Sequence, residues 1–241
     1  MKIHRFESLT STNSYMAARA DQLVHGDVVI AKTQTAGRGQ RGNSWEAEPG
    51  KNLTFSIFLK PDNVPAADAF LLSMKVSVAI VDALNNILAP EKVKIKWPND
   101  IYWNDLKLAG ILIENSFSGT QIDHSIIGIG LNVNQKMFVS NAPNPVSMTQ
   151  IAGHDFDLDT VLQKIVISII KEVDTLIDTA DLTVRYHDSL WRFGNLYLWH
   201  EPDGSEFLAT IDNVAPTGHL TLKTPDGHKS SYAFKEVFPV I

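Results

Sequence analysis

The chain has 241 residues, no cysteine, a formal net charge of −6 and 44% hydrophobic residues. That hydrophobic share excludes disorder and supplies a substantial core, while the acidic balance excludes a surface that is one continuous nucleic-acid footprint. The missing cysteines exclude disulfides, thiolate metal sites and cysteine nucleophiles, and they fit a reducing compartment. No apolar signal follows Met1 and no stretch reads as long and apolar enough to span a bilayer, so a cytoplasmic protein without membrane contact is expected.

Residues 3–9 read as a first strand. Thr10, Ser11, Thr12 and Asn13 then stand before Tyr15-Met16-Ala17-Ala18, a helix start in which one hydroxyl caps and the others can face a polar ligand. A strand through Val28, Val29, Ile30 and Ala31 runs into a loop at 34–45: Gln34-Thr35-Ala36-Gly37-Arg38-Gly39-Gln40-Arg41-Gly42-Asn43-Ser44-Trp45. The glycines let the backbone approach a ligand closely. Arg38 and Arg41 carry guanidinium forks suited to carboxylate or phosphate, and Trp45 adds a flat apolar face. The spacing also satisfies Gly-x-Gly-x-x-Gly. A dinucleotide fold is nevertheless not expected here, because the residues up to Pro49-Gly50 offer no helix to receive a pyrophosphate. The plain alternative is a solvated glycine-rich hairpin. With few apolar anchors, the loop is expected to be mobile.

Residues 52–59 alternate in period two, as a half-buried strand does. Residues 66–88 contain no glycine or proline and read as a long buried helix. Lys94-Ile95-Lys96-Trp97-Pro98-Asn99-Asp100 reads as a strand ending in a turn set by Pro98. Lys107-Leu108-Ala109-Gly110-Ile111-Leu112-Ile113-Glu114 reads as the next strand, with 121–133 as its partner. In that partner Ile127, Ile129, Leu131 and Val133 share one face, and Gly128, Gly130 and Asn132 share the other. A ligand or another backbone must approach the glycine face closely. After a loop at 141–145 and a polar run at 155–159, apolar residues from Leu158 to Ile177 keep a helical period. From about Asn195, short alternating runs are separated by Pro202-Asp203-Gly204, Pro216-Thr217-Gly218 and Pro225-Asp226-Gly227, which indicates a small antiparallel barrel.

Several chemistries are excluded. There is no Gly-x-x-x-x-Gly-Lys-[Ser/Thr] loop and no Gly-x-Ser-x-Gly elbow. The eight histidines form no His-x-His or His-x-x-x-His pair and read as scattered surface residues. The run His187-Asp188-Ser189 is too local for a triad.

Taken singly, Lys96, Asn99, Asp100 and Lys107 are ordinary strand-end and turn residues. Together with the loop they set Arg, Lys and Asp at strand ends, where nucleotide and carboxylate sites are assembled. Four motifs stand in the order and spacing of the biotin protein ligases, and the chain resembles that family over nearly its whole length. They are Ser11-Thr12-Asn13, Gly37-Arg38-Gly39-Gln40-Arg41-Gly42 with Trp45, Lys96-Trp97-Pro98-Asn99-Asp100, and Lys107 through Ile111 and Leu112. The strand Gly128-Ile129-Gly130-Leu131-Asn132-Val133 and the terminal barrel add to the likeness.

The resemblance implies an α+β fold. A mixed sheet flanked by helices, of the class II synthetase-like kind, would form a catalytic domain over residues 1–190, and an SH3-like barrel would occupy 191–241. It implies an enzyme that joins biotin to ATP as biotinyl-5′-adenylate and transfers biotin to a lysine of a biotin carboxyl carrier domain. ATP and Mg²⁺ would be required, with no tightly bound prosthetic group. Biotin would meet Ser11, Thr12, Asn13, Gln34, Gly37, Arg38, Gly39, Gln40, Lys107, Gly110 and Ile111. ATP and the adenylate would meet Arg38, Gln40, Arg41, Trp45, Lys96, Asn99, Asp100 and Asn132, with Trp45 stacked on adenine. Arg38, Lys107 and Asp100 would be catalytic, Asp100 also being the candidate for Mg²⁺.

Two departures stand out. Gln40 occupies a position where the family often carries arginine, and Asn43 one that is often basic, so release of free adenylate is expected. The chain begins directly with the ligase core, so no sequence-specific DNA binding is expected. An exposed sheet edge would permit a homodimer. The alternatives are a lipoate or octanoate ligase or transferase of the same fold, and a non-catalytic anion-binding module.

Overall fold

The computed structural model describes residues 1–45, 47–61, 64–139, 144–176 and 178–241; the side chain of Arg41 lies outside that description. The first strand, β1 (Ile3–Leu9), leads into α1 (Thr12–Ala17), whose N-cap Ser11 accepts a hydrogen bond from the Ser14 amide. The chain continues through β2 (Asp27–Gln34), β3 (Leu53–Leu59), α2 (Phe70–Ile87), β4 (Lys94–Lys96), β5 (Asp100–Trp103), β6 (Leu106–Ser118) and β7 (Gln121–Leu131). These strands form a mixed sheet ordered β1-β2-β3-β7-β6-β5-β4, parallel only between β1 and β2. Three helices follow: α3 (Met148–Ala152), α4 (Leu158–Asp174) and α5 (Thr179–Ser189).

One face of the sheet, including Phe55, Ile57, Ile127, Ile129 and Leu131, packs with Leu72, Val76, Ile80 and Leu84 of α2 and Val161, Ile165 and Ile169 of α4. The opposite face of β3 is covered as well. There Phe58 joins Met16, Leu23, Val29 and Ile126 in a second cluster under α1. All seven residues of β3 are therefore buried, against the half-buried strand that its alternation suggests. α2 runs through the middle of the core. Contrary to the expectation that no stretch has bilayer-spanning length and apolarity, α2 reaches both, but 67% of it is buried in the fold. Packing explains its composition. α4 ends at Asp174, before the exposed Leu176, because Lys75 reaches from α2 and donates to the carbonyls of Val173 (3.1 Å) and Thr175 (2.5 Å). Ile177 lies outside the described residues, as do 141–143 of the expected loop.

A second, antiparallel sheet contains β8 (Tyr197–His200), β9 (Glu206–Val214), β10 (Leu220–Lys223), β11 (Lys229–Tyr232) and β12 (Phe238–Pro239), in the order β11-β10-β9-β8-β12. Its turns close on Gly204, Gly218 and Gly227, at φ of 85°, 91° and 90°, which glycine adopts without a Cβ clash. Contacts from Trp97, Arg192 and His187 help to dock it. Trp97 Nε1 donates to Gly218 O at 3.0 Å. Arg192 lies over the rings of Trp191 (4.0 Å) and Tyr197 (4.6 Å) and donates to Val240 O at 2.7 Å. His187 stacks on Phe193 with centroids 5.0 Å apart, and its Nε2 accepts from the Val214 amide at 3.2 Å.

His187 is thus half-buried at a junction and not one of a scatter of surface histidines. Burial holds its pKa below the ordinary 6.5, against the pull of Asp188 and Asp212. The folded state keeps a neutral ring, so stability is complete above pH 6.5 and is lost as pH falls below it. In urea titrations, His187→Gln should lose less of its unfolding midpoint than the wild type between about pH 7.5 and pH 5.5. Equal losses would remove His187 from the acid response.

Candidate active site

The strand register builds the floor of the site. Across β3, β7 and β6, Thr54 pairs with Gly130 and Ser56 with Gly128, while Gly110 faces Gly130 and Leu112 faces Gly128. The glycines are required by what sits on them. A methyl added at Gly130 would stand 2.2 Å from the Trp45 indole, and one at Gly128 would stand 2.3 Å from Asn13 Oδ1. At Gly110 the added atom would lie 3.2 Å from the Trp45 ring. The close approach expected on this face is therefore made by two side chains, where the sequence suggested a ligand or a backbone. Trp45 gives the loop an apolar anchor that the sequence reading had not counted.

The loop closes as a hairpin. Arg38 bridges to Ser44, the Gly39 amide donates to Asn43 O at 2.6 Å, and the Trp45 amide donates to Gly37 O at 3.1 Å. Gly37 does not line the cavity. Its hydrogen leaves room for the backbone of Trp45, whose carbonyl oxygen would lie 2.3 Å from an added Cβ.

A polar network joins the loop to α1. Gln34 Oε1 accepts from the Thr12 amide (2.7 Å) and hydroxyl (3.1 Å). The Ser56 hydroxyl lies 2.7 Å from Thr12 Oγ1 and 2.6 Å from Asn13 Oδ1. Asn13 Nδ2 donates to Glu114 Oε2 at 2.7 Å, and the same oxygen accepts from Arg38 at 2.8 Å. Sequence reasoning missed Ser56 and Glu114 as site residues. The available signal was parity: Glu114 shares a strand face with Gly110 and Leu112, and Ser56 sits opposite Gly128.

A second cluster is cationic. Lys107 Nζ pairs with Asp100 at 2.7 Å, their side chains 24% and 16% exposed, and lies 5.8 Å from the Trp45 ring centroid. Lys96 Nζ lies 5.1 Å from the Tyr102 ring. Burial pushes the Lys96 pKa down; Asp100 opposes the shift, and Lys107 and Arg192 add to it. Asn99 exchanges hydrogen bonds with Ile111, its Nδ2 to Ile111 O (2.8 Å) and the Ile111 amide to Asn99 O (2.9 Å). The Asn132 amide group donates to Val146 O at 3.1 Å, so this residue also has a structural duty.

The two clusters line one cavity of about 880 Å³. Of the residues singled out in the sequence, Ser11, Thr12, Asn13, Gln34, Arg38, Gly39, Gln40, Trp45, Lys96, Asn99, Asp100, Lys107, Gly110, Ile111 and Asn132 all line it. The side chain of Arg41 lies outside the described residues. The remaining wall comes from the junction and the second sheet, including Trp191, Trp199, Phe234, Lys235 and Phe238, which the sequence had not pointed to. Among the described lining residues, Arg38, Lys96, Lys107 and Lys235 are cations and Asp100 is the single carboxylate. Among the described residues, Gln40 Oε1 and Trp45 Nε1 are buried without a hydrogen-bond partner, whereas buried polar atoms are ordinarily satisfied. No group of three metal-ligating side chains occurs among the described residues.

A mixed sheet with a glycine-floored, cation-rich cavity and a docked small β-sheet is the architecture of this chain. The model of the biotin/lipoate A/B protein ligase family matches residues 5–132, and the chain belongs to that family. The bifunctional ligase/repressor BirA of Escherichia coli K12 is 38% identical over 154 residues, covering 64% of this chain and 47% of BirA. The biotin–[acetyl-CoA-carboxylase] ligase of Paracoccus denitrificans is 36% identical over 157 residues, 63% of this chain and 65% of that protein. The chain thus spans about half the length of BirA and under two thirds of the Paracoccus protein. Its fold is that of the biotin protein ligase from Aquifex aeolicus solved with biotin and ATP, at a TM-score of 0.79 and 22% identity, covering 99% of this chain and 98% of that one.

Because the indole rests on Gly130, Gly130→Ala should destabilise the fold by about 1–3 kcal/mol through overpacking. In the double variant with Trp45→Ala that penalty should vanish, leaving a urea midpoint equal to that of Trp45→Ala alone. A fully additive double variant would show that the two residues do not touch.

Proposed function

We propose that this chain activates biotin with ATP and transfers it to a lysine of a biotin carboxyl carrier domain. The observation that carries the reading is the pairing, in one cavity, of the uncharged polar side chains of Thr12, Asn13 and Gln34 with a cluster of cations facing a single carboxylate. The first half suits an uncharged polar ring. The second suits a carboxylate meeting a polyphosphate.

A carboxylate oxygen of biotin attacks the α-phosphorus, the bond to pyrophosphate breaks, and pyrophosphate leaves with the electron pair. The acceptor amine then attacks the acyl carbon, AMP departs, and the amine proton passes to solvent. Both substrates of the first step are anions, and the cations of this chain offset their repulsion. Asp100 fixes the Lys107 ammonium, and Glu114 fixes the Arg38 guanidinium while its other N–H donors stay available. Anion binding would also relieve the unfavourable charging of buried Lys96. The backbone at Gly110 and Ile111 borders the ring, and Trp45 and Gln40 meet the adenylate with their unpartnered atoms.

Asp100, the single carboxylate among the described lining residues, would hold Mg²⁺ here, a hard cation that suits oxygen donors. When bound it adds countercharge to those phosphates. Residues 1–190 form the catalytic unit in this reading and 191–241 the barrel that completes the cavity wall. The cytoplasm is where acceptor, biotin and ATP would meet.

Biotin-dependent exchange of labelled pyrophosphate into ATP, without acceptor protein, tests the reading. Exchange with biotin and none with lipoate is expected; a folded sample that exchanges with neither is not a ligase. Lys107→Ala should lower the exchange rate by roughly 10²–10³-fold, the loss typical of removing one charge-stabilising donor. Glu114→Gln, which loosens both Asn13 and Arg38, should raise the KM for biotin by about tenfold, one hydrogen bond to a charged group being worth that much. An unchanged KM would separate Glu114 from biotin recognition.

A further inference from the structure

Lys235 belongs to the second sheet, yet it lines the same cavity as Lys96, Asp100 and Lys107. It sits on a turn in which the Glu236 amide donates to Ala233 O at 3.1 Å and Glu236 Oε2 accepts from the Ala233 amide at 2.7 Å. These reciprocal bonds hold the backbone between them in a tight reversal, with Lys235 at φ 73°. In this left-handed region a lysine is strained and a glycine is not. Every turn glycine of the same sheet, at 204, 218 and 227, answers the same demand in the ordinary way. A strained conformation that the surrounding bonds enforce is a reason to ask what the side chain does.

The side chain makes no contact within the protein that would account for it. Lys235 is exposed, and among the described residues it has neither an ion-pair nor a hydrogen-bond partner. The turn itself is aimed: the Phe234 ring meets Trp97 edge-on at 6.1 Å, and Trp97 stands between Lys96 and the Pro98–Asp100 turn. A cation is thereby carried across from the second sheet to the rim above the cations of the first.

We propose that Lys235 binds the terminal phosphates of the nucleoside triphosphate. This rests on the reading of the cavity as an ATP site and adds a specificity-determining residue to it. The adenylate is assigned to the loop, at Trp45 and Gln40, so Lys235 discriminates a triphosphate from a monophosphate. It also makes the second sheet a contributor to substrate binding.

Lys235→Gly removes the cation and at the same time relieves the backbone, so it separates binding from folding. Calorimetric titration with ATP should show about tenfold weaker binding for Lys235→Gly and near wild-type binding for Lys235→Arg, while AMP binds all three alike. The melting temperature of Lys235→Gly should equal or exceed that of the wild type. Equal ATP affinity in Lys235→Gly and wild type would overturn the assignment, as would an equal loss for AMP. Pyrophosphate exchange by the wild type, run alongside, reports separately on the ligase reading. Exchange with unchanged ATP affinity in the variant defeats this inference alone, and a wild type that binds no ATP defeats both.

Discussion

The arrangement of the cavity depends on three glycines on one face of β6 and β7. Gly110, Gly128 and Gly130 let Trp45 and Asn13 rest directly on the sheet backbone. Alanine at either of the tightest contacts, Gly128 and Gly130, would place a methyl inside an occupied radius, against the hydrogen-bonded Asn13 amide or the rigid Trp45 indole. The seating of Trp45 sets the end of the loop, and with it the position of Arg38. The seating of Asn13 sets the bonds to Ser56 and Glu114. Through Glu114 the two seats meet again at Arg38. A short row of glycines thereby positions groups drawn from α1, β2, β3, β6 and the loop.

The second organising fact is electrostatic. The chain is acidic as a whole, at a formal −6, but the described lining of its cavity has four cations and one carboxylate. Concentrating like charges costs free energy, and the structure spreads that cost. Asp100 neutralises Lys107, Glu114 neutralises Arg38, Lys96 accepts a lowered pKa over Tyr102, and Lys235 stands at the wet rim. An anionic ligand meets a site already tuned to receive charge, with little reorganisation left to do.

Much of this was legible in the residues, because local rules govern the parts that were read correctly. The Ser11 cap, the glycine face of β7, the long apolar helices and the Gly-closed turns of the barrel are each written in a few consecutive positions. The misreadings arose where distant segments decide. β3 alternates like a half-exposed strand, and only α1 folding over it hides its second face. β5 was lost within the turn after Pro98, since four residues carry too little pattern to announce a strand. α5 is a polar helix whose place against α2 and β4 no local period reveals. Glu114 read as the end of a strand because its partners, Asn13 and Arg38, are 101 and 76 residues away in sequence. Lys235 carries no signal in the sequence; only its backbone angle and its place in the cavity wall together set it apart.

The junction built by Trp97, Arg192 and His187 has a thermodynamic consequence. The cavity wall is shared between two sheets, so a ligand that touches both is bound fully only by the docked arrangement. Linkage then runs in both directions: occupancy holds the second sheet in place, and each residue that holds the second sheet in place raises affinity. An indole nitrogen donating to Gly218 O across the seam would therefore carry a share of the binding free energy. Substitutions at this seam would pass for losses of stability in one assay and losses of affinity in another, while being a single effect on the docking equilibrium.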